Sequence, residues 1–117
     1  MTDVVVYGIP NCDTVKRARA ALTASGCEYE FHDFKKSGVP LHAAAQWLTQ
    51  CGWQPLINRQ GTTWRKLTEE EKQAVHDERS ALSLMQSQPS VIKRPVIRWP
   101  DGKVTVGWDE TVQARIG

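Results

Sequence analysis

The stretch from Asp3 to Phe34 most constrains the fold. It opens with DVVVYG, residues 3 to 8, a continuous apolar run that ends in glycine. A run without polar alternation suits a strand buried on both faces. After the short turn IPNC, the apolar positions Val15, Ala18, Ala21 and Leu22 recur at helical spacing. They predict a helix over Asp13 to Ser25, with Gly26 as its stop. CEYEFHDF, residues 27 to 34, sets Tyr29, Phe31 and Asp33 against Glu28, Glu30 and His32. That is the period of a second strand. Strand, helix and strand in this order form a β-α-β unit, with parallel strands and a right-handed crossover.

The middle of the chain is predicted to be helical. Pro40 opens a helix on which Leu41, Ala44, Ala45 and Leu48 share a face, and Gly52 ends it. LINRQGTTWRKL, residues 56 to 67, is loop-like around Gly61. Thr68 and Glu71 have capping-box spacing, with Leu67 in the staple position, which starts a helix over 68 to about 77. SALSLMQS, residues 80 to 87, adds a short helix closed by Pro89. Two strands, within VIKRPVIRW (91 to 99) and KVTVGW (103 to 108), then flank Pro100-Asp101-Gly102 as an antiparallel hairpin. Asp109 caps a last helix running through Ile116. The order is β-α-β, a helical insertion at about 35 to 90, then β-β-α. This predicts an α/β protein of thioredoxin-like fold with a four-stranded mixed sheet. It forms a single domain over 1 to 117 in which the insertion makes a lobe.

Composition narrows the function. With 117 residues, 40% of them hydrophobic, the chain can bury a core without disulfides or a structural metal. Fifteen basic residues against 13 acidic leave a net charge of +2, too small to favour nucleic acid or an acidic membrane as a partner. No apolar run is long enough to span a bilayer, and the polar start MTDVVVYG does not read as a secretory signal, so a cytoplasmic protein is expected. Cys12, Cys27 and Cys51 are odd in number and widely spaced, which is no disulfide framework. No metal site is expected, since no CxxC, Cys/His cluster or HExxH occurs. Cys27 and Cys51 read as small buried hydrophobes. The five tryptophans read mainly as packing, and His32, His42 and His76 as ordinary surface residues.

Cys12 differs because of its place, between the first strand and the first turn of the first helix. Open α/β sheets bind ligands at the carboxyl ends of their strands. A helix start offers unpartnered N–H groups and partial positive charge, and both favour a thiolate. Lys16 and Arg17 add positive charge, while Asp13 opposes it. An inert, half-buried cysteine is the alternative. KRPVI brings a second candidate. In a thioredoxin-like fold, Pro95 faces the cysteine loop and the bond before it is commonly cis. A peptide-like ligand would lie there. Arg94 would then point at Cys12, where its fork of donors could hold an anion. Position alone leaves a solvated arginine equally open. In INRQGTTWRKL, Arg59 or Arg65 could close over an anionic ligand.

YGIPNCDTVKRA, GTTWRKLTEEE, PSVIKRP and DGKVTVGWDE, in that order, resemble the ArsC/Spx family, and within it the YffB-type proteins. The resemblance covers essentially the whole chain. It implies a thioredoxin-like fold with a helical insertion, and a cysteine nucleophile at Cys12. Glutathione is implied as co-substrate, with glutaredoxin as a further resolving thiol and no tightly bound cofactor. The arginine of the KRP motif corresponds to Arg94. YffB-type chains read T-R-G-T-T-W where this one reads Arg59-Gln60-Gly61, so Arg59 is carried over displaced by one position. Arsenate reductases of the family carry a third arginine where this chain has Gly107, and a polar residue, often His, where it has Gly8. Losing charge-assisted hydrogen bonds worth about 1.5–3 kcal/mol each argues against efficient arsenate reduction. Spx regulators bind RNA polymerase and often carry a CxxC switch, but the partner position here is Val15. Cys27 lies beyond the first helix, too far for a bridge to Cys12. The expected function is therefore a glutathione-dependent thiol reductase acting as a monomer. Cys12 attacks, and Arg94 holds a glutathione carboxylate or the thiolate. Arg59 assists, Asn11 donates to the sulfur and Pro95 lines the site. Arsenate reduction and an Spx-like regulatory role are the alternatives.

Overall fold

The computed structural model describes residues 3–116. Its sheet has four strands: β1 (Val5–Gly8), β2 (Glu30–Asp33), β3 (Val96–Arg98) and β4 (Val104–Val106), in the order β2-β1-β3-β4. β1 pairs with β2 in parallel, Tyr7 opposite His32, and with β3 antiparallel, Tyr7 opposite Val96. β3 and β4 form the expected antiparallel hairpin. The mixed four-stranded sheet and the β-α-β…β-β-α order agree with the sequence reading. β2 is shorter than expected at both ends: the Cys27 N–H is taken by Leu22 O at the stop of the preceding helix, and Phe34 begins a helical turn, α2 (Phe34–Ser37), started by Asp33 accepting the Lys35 N–H at 2.9 Å.

All four residues of β1 are buried, as a central strand requires. Helix α1 (Asp13–Ala24) packs one stripe, Val15, Ala18 and Leu22, each fully buried. Burial of a side chain such as Leu22 contributes about 1.5–3 kcal/mol. The helix ends where Gly26 takes φ 78°, a left-handed conformation that glycine adopts without steric cost. The Gly26 N–H donates to Thr23 O and the Cys27 N–H to Leu22 O, the pairing of a Schellman stop. Val4, Val6, Leu22, Ile97, Trp99 and Val112 form one core cluster, with Phe31 and Trp108 packed against it. Val112 lies on α8 (Glu110–Gln113), which Asp109 caps by accepting the Val112 N–H at 3.0 Å. That helix ends short of the expected Ile116.

Contacts divide the chain into two compact units. One comprises the chain up to Ser37 together with the stretch from Arg94 onward, and the other is Gly38–Lys93. The second is helical. α3 (Leu41–Cys51) buries Ala44, Trp47 and Leu48, so Trp47 takes the inward position expected of Leu41, which is 58% exposed. Ala45, also expected inward, is exposed, so the buried face is turned one step around the helix from the expected one. α3 packs on α4 (Trp53–Leu56) and on α7 (Glu78–Ser87). The expected loop over 56 to 67 contains one ordered turn, α5 (Thr62–Arg65). The Thr68/Glu71 capping box forms as expected, but α6 (Glu69–Gln73) is short because none of its residues is buried. No helix among the described residues is long and apolar enough to cross a membrane.

Gly107 links the hairpin to the strand start at Pro95. It is buried at φ 84°, and its N–H donates to the Pro95 carbonyl at 2.9 Å. A side chain in that conformation costs about 1–3 kcal/mol. Urea unfolding should therefore show Gly107→Arg less stable by about that amount, with an unchanged slope against urea. An unchanged midpoint would show that the backbone at 107 is not held.

Candidate functional site

Cys12 is the N-cap of α1, in extended conformation (φ −102°, ψ 126°), and its carbonyl accepts the first helical bond from the Lys16 N–H at 2.9 Å. An N-cap side chain lies against the N–H groups of the second and third helical residues, here Thr14 and Val15. The Cys12 side chain forms no full capping hydrogen bond, but both N–H groups lie close enough to favour negative charge on the sulfur. Burial, the largest single influence, pushes the half-buried thiol up. The Val15 N–H, the Arg94 side chain through both a hydrogen bond and its charge, and the Thr14 N–H together outweigh burial. The thiol therefore ionises below its ordinary range.

The cation acting on the sulfur is Arg94, brought from far along the chain. Lys16 and Arg17, expected to serve, are exposed on α1, and Arg17 turns to Thr14 Oγ1 at 3.4 Å. The sequence reading missed the Thr14 and Val15 N–H groups as individual donors. The helix start itself signalled them. Arg94 is half-buried, with its Nε buried, and the Arg94–Pro95 bond is cis. Pro95 is fully buried and its carbonyl is taken by Gly107. Asn11 is exposed in the turn just before Cys12.

Gly8, at the end of β1, faces α1. A Cβ there would stand 2.9 Å from Val15 Cγ2. Gly8, where the family's arsenate reductases carry a polar residue, and Val15, where Spx regulators often carry a second cysteine, are thus packed against each other.

Arg59 belongs to the helical unit. It sits in a turn in which Gly61 N–H donates to Asn58 O at 3.3 Å and Gln60 N–H to Asn58 Oδ1 at 3.2 Å. Its exposed guanidinium lies over the rings of Trp53 (5.4 Å) and Trp64 (5.9 Å). Two tryptophans flanking an arginine in sequence were the available signal for this stack. Arg65 is exposed at the end of α5. Of the other tryptophans, Trp47 and Trp99 are buried and Trp108 packs on the core, as packing residues should.

The remaining cysteines are half-buried. Burial pushes the Cys51 thiol up, which disfavours its thiolate, and Cys27 Sγ donates to Glu28 O at 3.6 Å. His32 corrects the surface expectation: it is half-buried, its ring 5.3 Å from Tyr7 and 6.2 Å from Phe34. Strand pairing decides this by setting His32 opposite Tyr7. His42 and His76 are exposed.

Known proteins match this arrangement over nearly its whole length. The ArsC family pattern covers residues 7–116. A solved YffB protein is 43% identical, with 97% of each chain covered and a TM-score of 0.88. The solution structure of an arsenate reductase (ArsC) related protein from Brucella melitensis is 46% identical, over 95% of this chain and 90% of that one, with a TM-score of 0.74. An uncharacterized protein of Haemophilus influenzae is 43% identical over 92% of both chains. With a thioredoxin-like sheet, an ionisable cysteine at the first helix start and an arginine on its sulfur, this chain belongs to the ArsC family, a family of thiol-based reductases.

Proposed function

We propose that the protein is a glutathione-dependent thiol reductase with one nucleophilic cysteine. The observation that carries this reading is Cys12 at the N-cap of α1, with Arg94 hydrogen-bonded to its sulfur and Val15 at the third helical position. Thiolate, not thiol, attacks a disulfide. The Cys12 thiolate attacks the glutathione sulfur of a mixed disulfide, forms a Cys12–glutathione disulfide and expels the substrate sulfur as a thiolate. A second glutathione thiolate attacks the glutathione sulfur of that intermediate. Cys12 leaves as a thiolate, with oxidised glutathione as the other product. Each turn thus exchanges one mixed disulfide for oxidised glutathione: one glutathione thiol is consumed, joined to the glutathione already delivered with the substrate, and the substrate thiol is released.

With Val15 where a second cysteine would stand, resolution falls to an external thiol, glutathione or a glutaredoxin. Arg94 stabilises the thiolate, or pairs with a glutathione carboxylate while Cys12 is disulfide-bonded. Asn11, exposed beside Cys12, supplies a donor at the entrance, and Pro95 supports the backbone that carries Arg94. Arg59 joins the proposal through the family resemblance. Its stack on Trp53 and Trp64 restrains the guanidinium, which lowers the entropy lost on gripping a carboxylate. The site reads poorly as an arsenate pocket. At Gly107 an arginine would need a positive φ, and at Gly8 any side chain meets Val15.

Incubation with oxidised glutathione should give a single adduct of glutathione mass, absent in Cys12→Ser. No adduct on Cys12 at neutral pH would overturn the proposal and leave a binding role. Alkylation rate against pH should inflect below the ordinary thiol range. Arg94→Met removes a lowering influence, so its inflection should move up and its rate at pH 6 should drop severalfold. Arsenate with glutathione and glutaredoxin should give little or no turnover, and turnover on the scale of the disulfide reaction would return the enzyme to the arsenate reductases.

A further inference from the structure

Val15 serves two neighbours at once. Its backbone N–H is the third of α1 and is one of the groups that favour the Cys12 thiolate, although the side chain forms no full capping bond. Its side chain is fully buried and touches the last residue of β1, where a Cβ on Gly8 would come within 2.9 Å of Cγ2 and 3.5 Å of Cγ1. A valine side chain has a single torsion with one strongly preferred rotamer in a helix, so it cannot swing aside cheaply. Gly8 has no positive φ to explain it, and its place at the end of a buried strand favours a larger residue. The close approach of α1 therefore accounts for the glycine.

We propose that Gly8 is a positioning residue: by lacking a side chain, it lets the first turn of α1 seat on the end of β1, which holds the Val15 N–H against the Cys12 sulfur. A methyl group at position 8 must be accommodated by movement of Val15. Ala18 and Leu22 anchor the same helix further along, so the movement falls on the first turn, where the sulfur's donors are. The other charged groups near this turn are Arg94, which acts on the sulfur from the start of the hairpin, and the exposed Asp13, Lys16 and Arg17 on α1. Arg94 does not ride on that turn, so its pull on the sulfur is independent of position 8, while Asp13, Lys16 and Arg17 are solvated and are not among the influences on the thiol. The proposal rests on the reading of Cys12 as the nucleophile, and deepens it by assigning part of its activation to a residue with no functional group.

The test is the pH dependence of Cys12 alkylation in the full chain, read with the amide signals of Thr14 and Val15. In the unaltered protein the Val15 amide proton should shift as Cys12 ionises. Gly8→Ala should raise the inflection by about half a unit or more, lowering the rate at pH 6 about threefold, and should shrink the Val15 response. Gly8→Ala with Val15→Ala removes both γ-methyl groups and should restore the inflection. Arg94→Met should raise the inflection whichever residue is at position 8. A Val15 amide that ignores Cys12 ionisation overturns the proposal without any variant. An inflection unmoved in a folded Gly8→Ala protein, or unrestored in the double variant, does the same. An ordinary inflection in the unaltered protein would instead defeat the reading of Cys12 as nucleophile, so the two failures are distinct.

Discussion

The structure depends on how α1 seats on β1. The strand is buried along its length, and the helix sets Val15 against Gly8 and Leu22 beside Val6, with Ala18 buried between them. This contact makes the β-α-β crossover, fixes β2 alongside β1 and places the helix start at the carboxyl end of the central strand. The environment of Cys12 follows from that placement. The sulfur stands where unpartnered N–H groups converge because the helix can begin only after the strand has ended. A β-branched residue opposite a glycine brings the two elements close at the point where the chemistry lies.

The second ingredient is a cation the first unit cannot supply from α1. Lys16 and Arg17 are adjacent to the site in sequence, yet they lie on the solvated side of the helix. Arg94 enters because β3 pairs antiparallel with β1, which brings the start of β3 to the end of β1 where the cysteine loop lies. Gly107, bonded to the Pro95 carbonyl, ties the hairpin's far strand to the same point. The hairpin therefore works as a bracket that carries one arginine to one sulfur. The ionisation of Cys12 is the balance between burial, which opposes it, and these donors, which favour it.

Much of this was legible in the sequence. The unbroken apolar run of β1, the helical spacing of Val15, Ala18 and Leu22, the stop at Gly26 and the hairpin turn are local signals, and each appears in its expected place. The same holds for the caps at Thr68 and Asp109. Legibility fails where a choice depends on a distant neighbour. Leu41 and Trp47 are both apolar on α3, and only the packing of α4 and α7 selects Trp47 as the buried one. His32 looks like a polar position on an alternating strand until its pairing with Tyr7 sets it beside aromatic rings.

The sequence by itself determined the order of elements, the lone cysteine at a helix start, and the absence of a partner thiol at position 15. These are local properties, set by periodicity, capping and spacing. Tertiary structure alone decided which cation reaches the sulfur, and that Gly8 and Val15 form one contact. It also showed that Arg59 rests on two indoles. The reason is physical. Charge and steric interactions act through space over a few ångströms, and residues that close are often far apart along the chain.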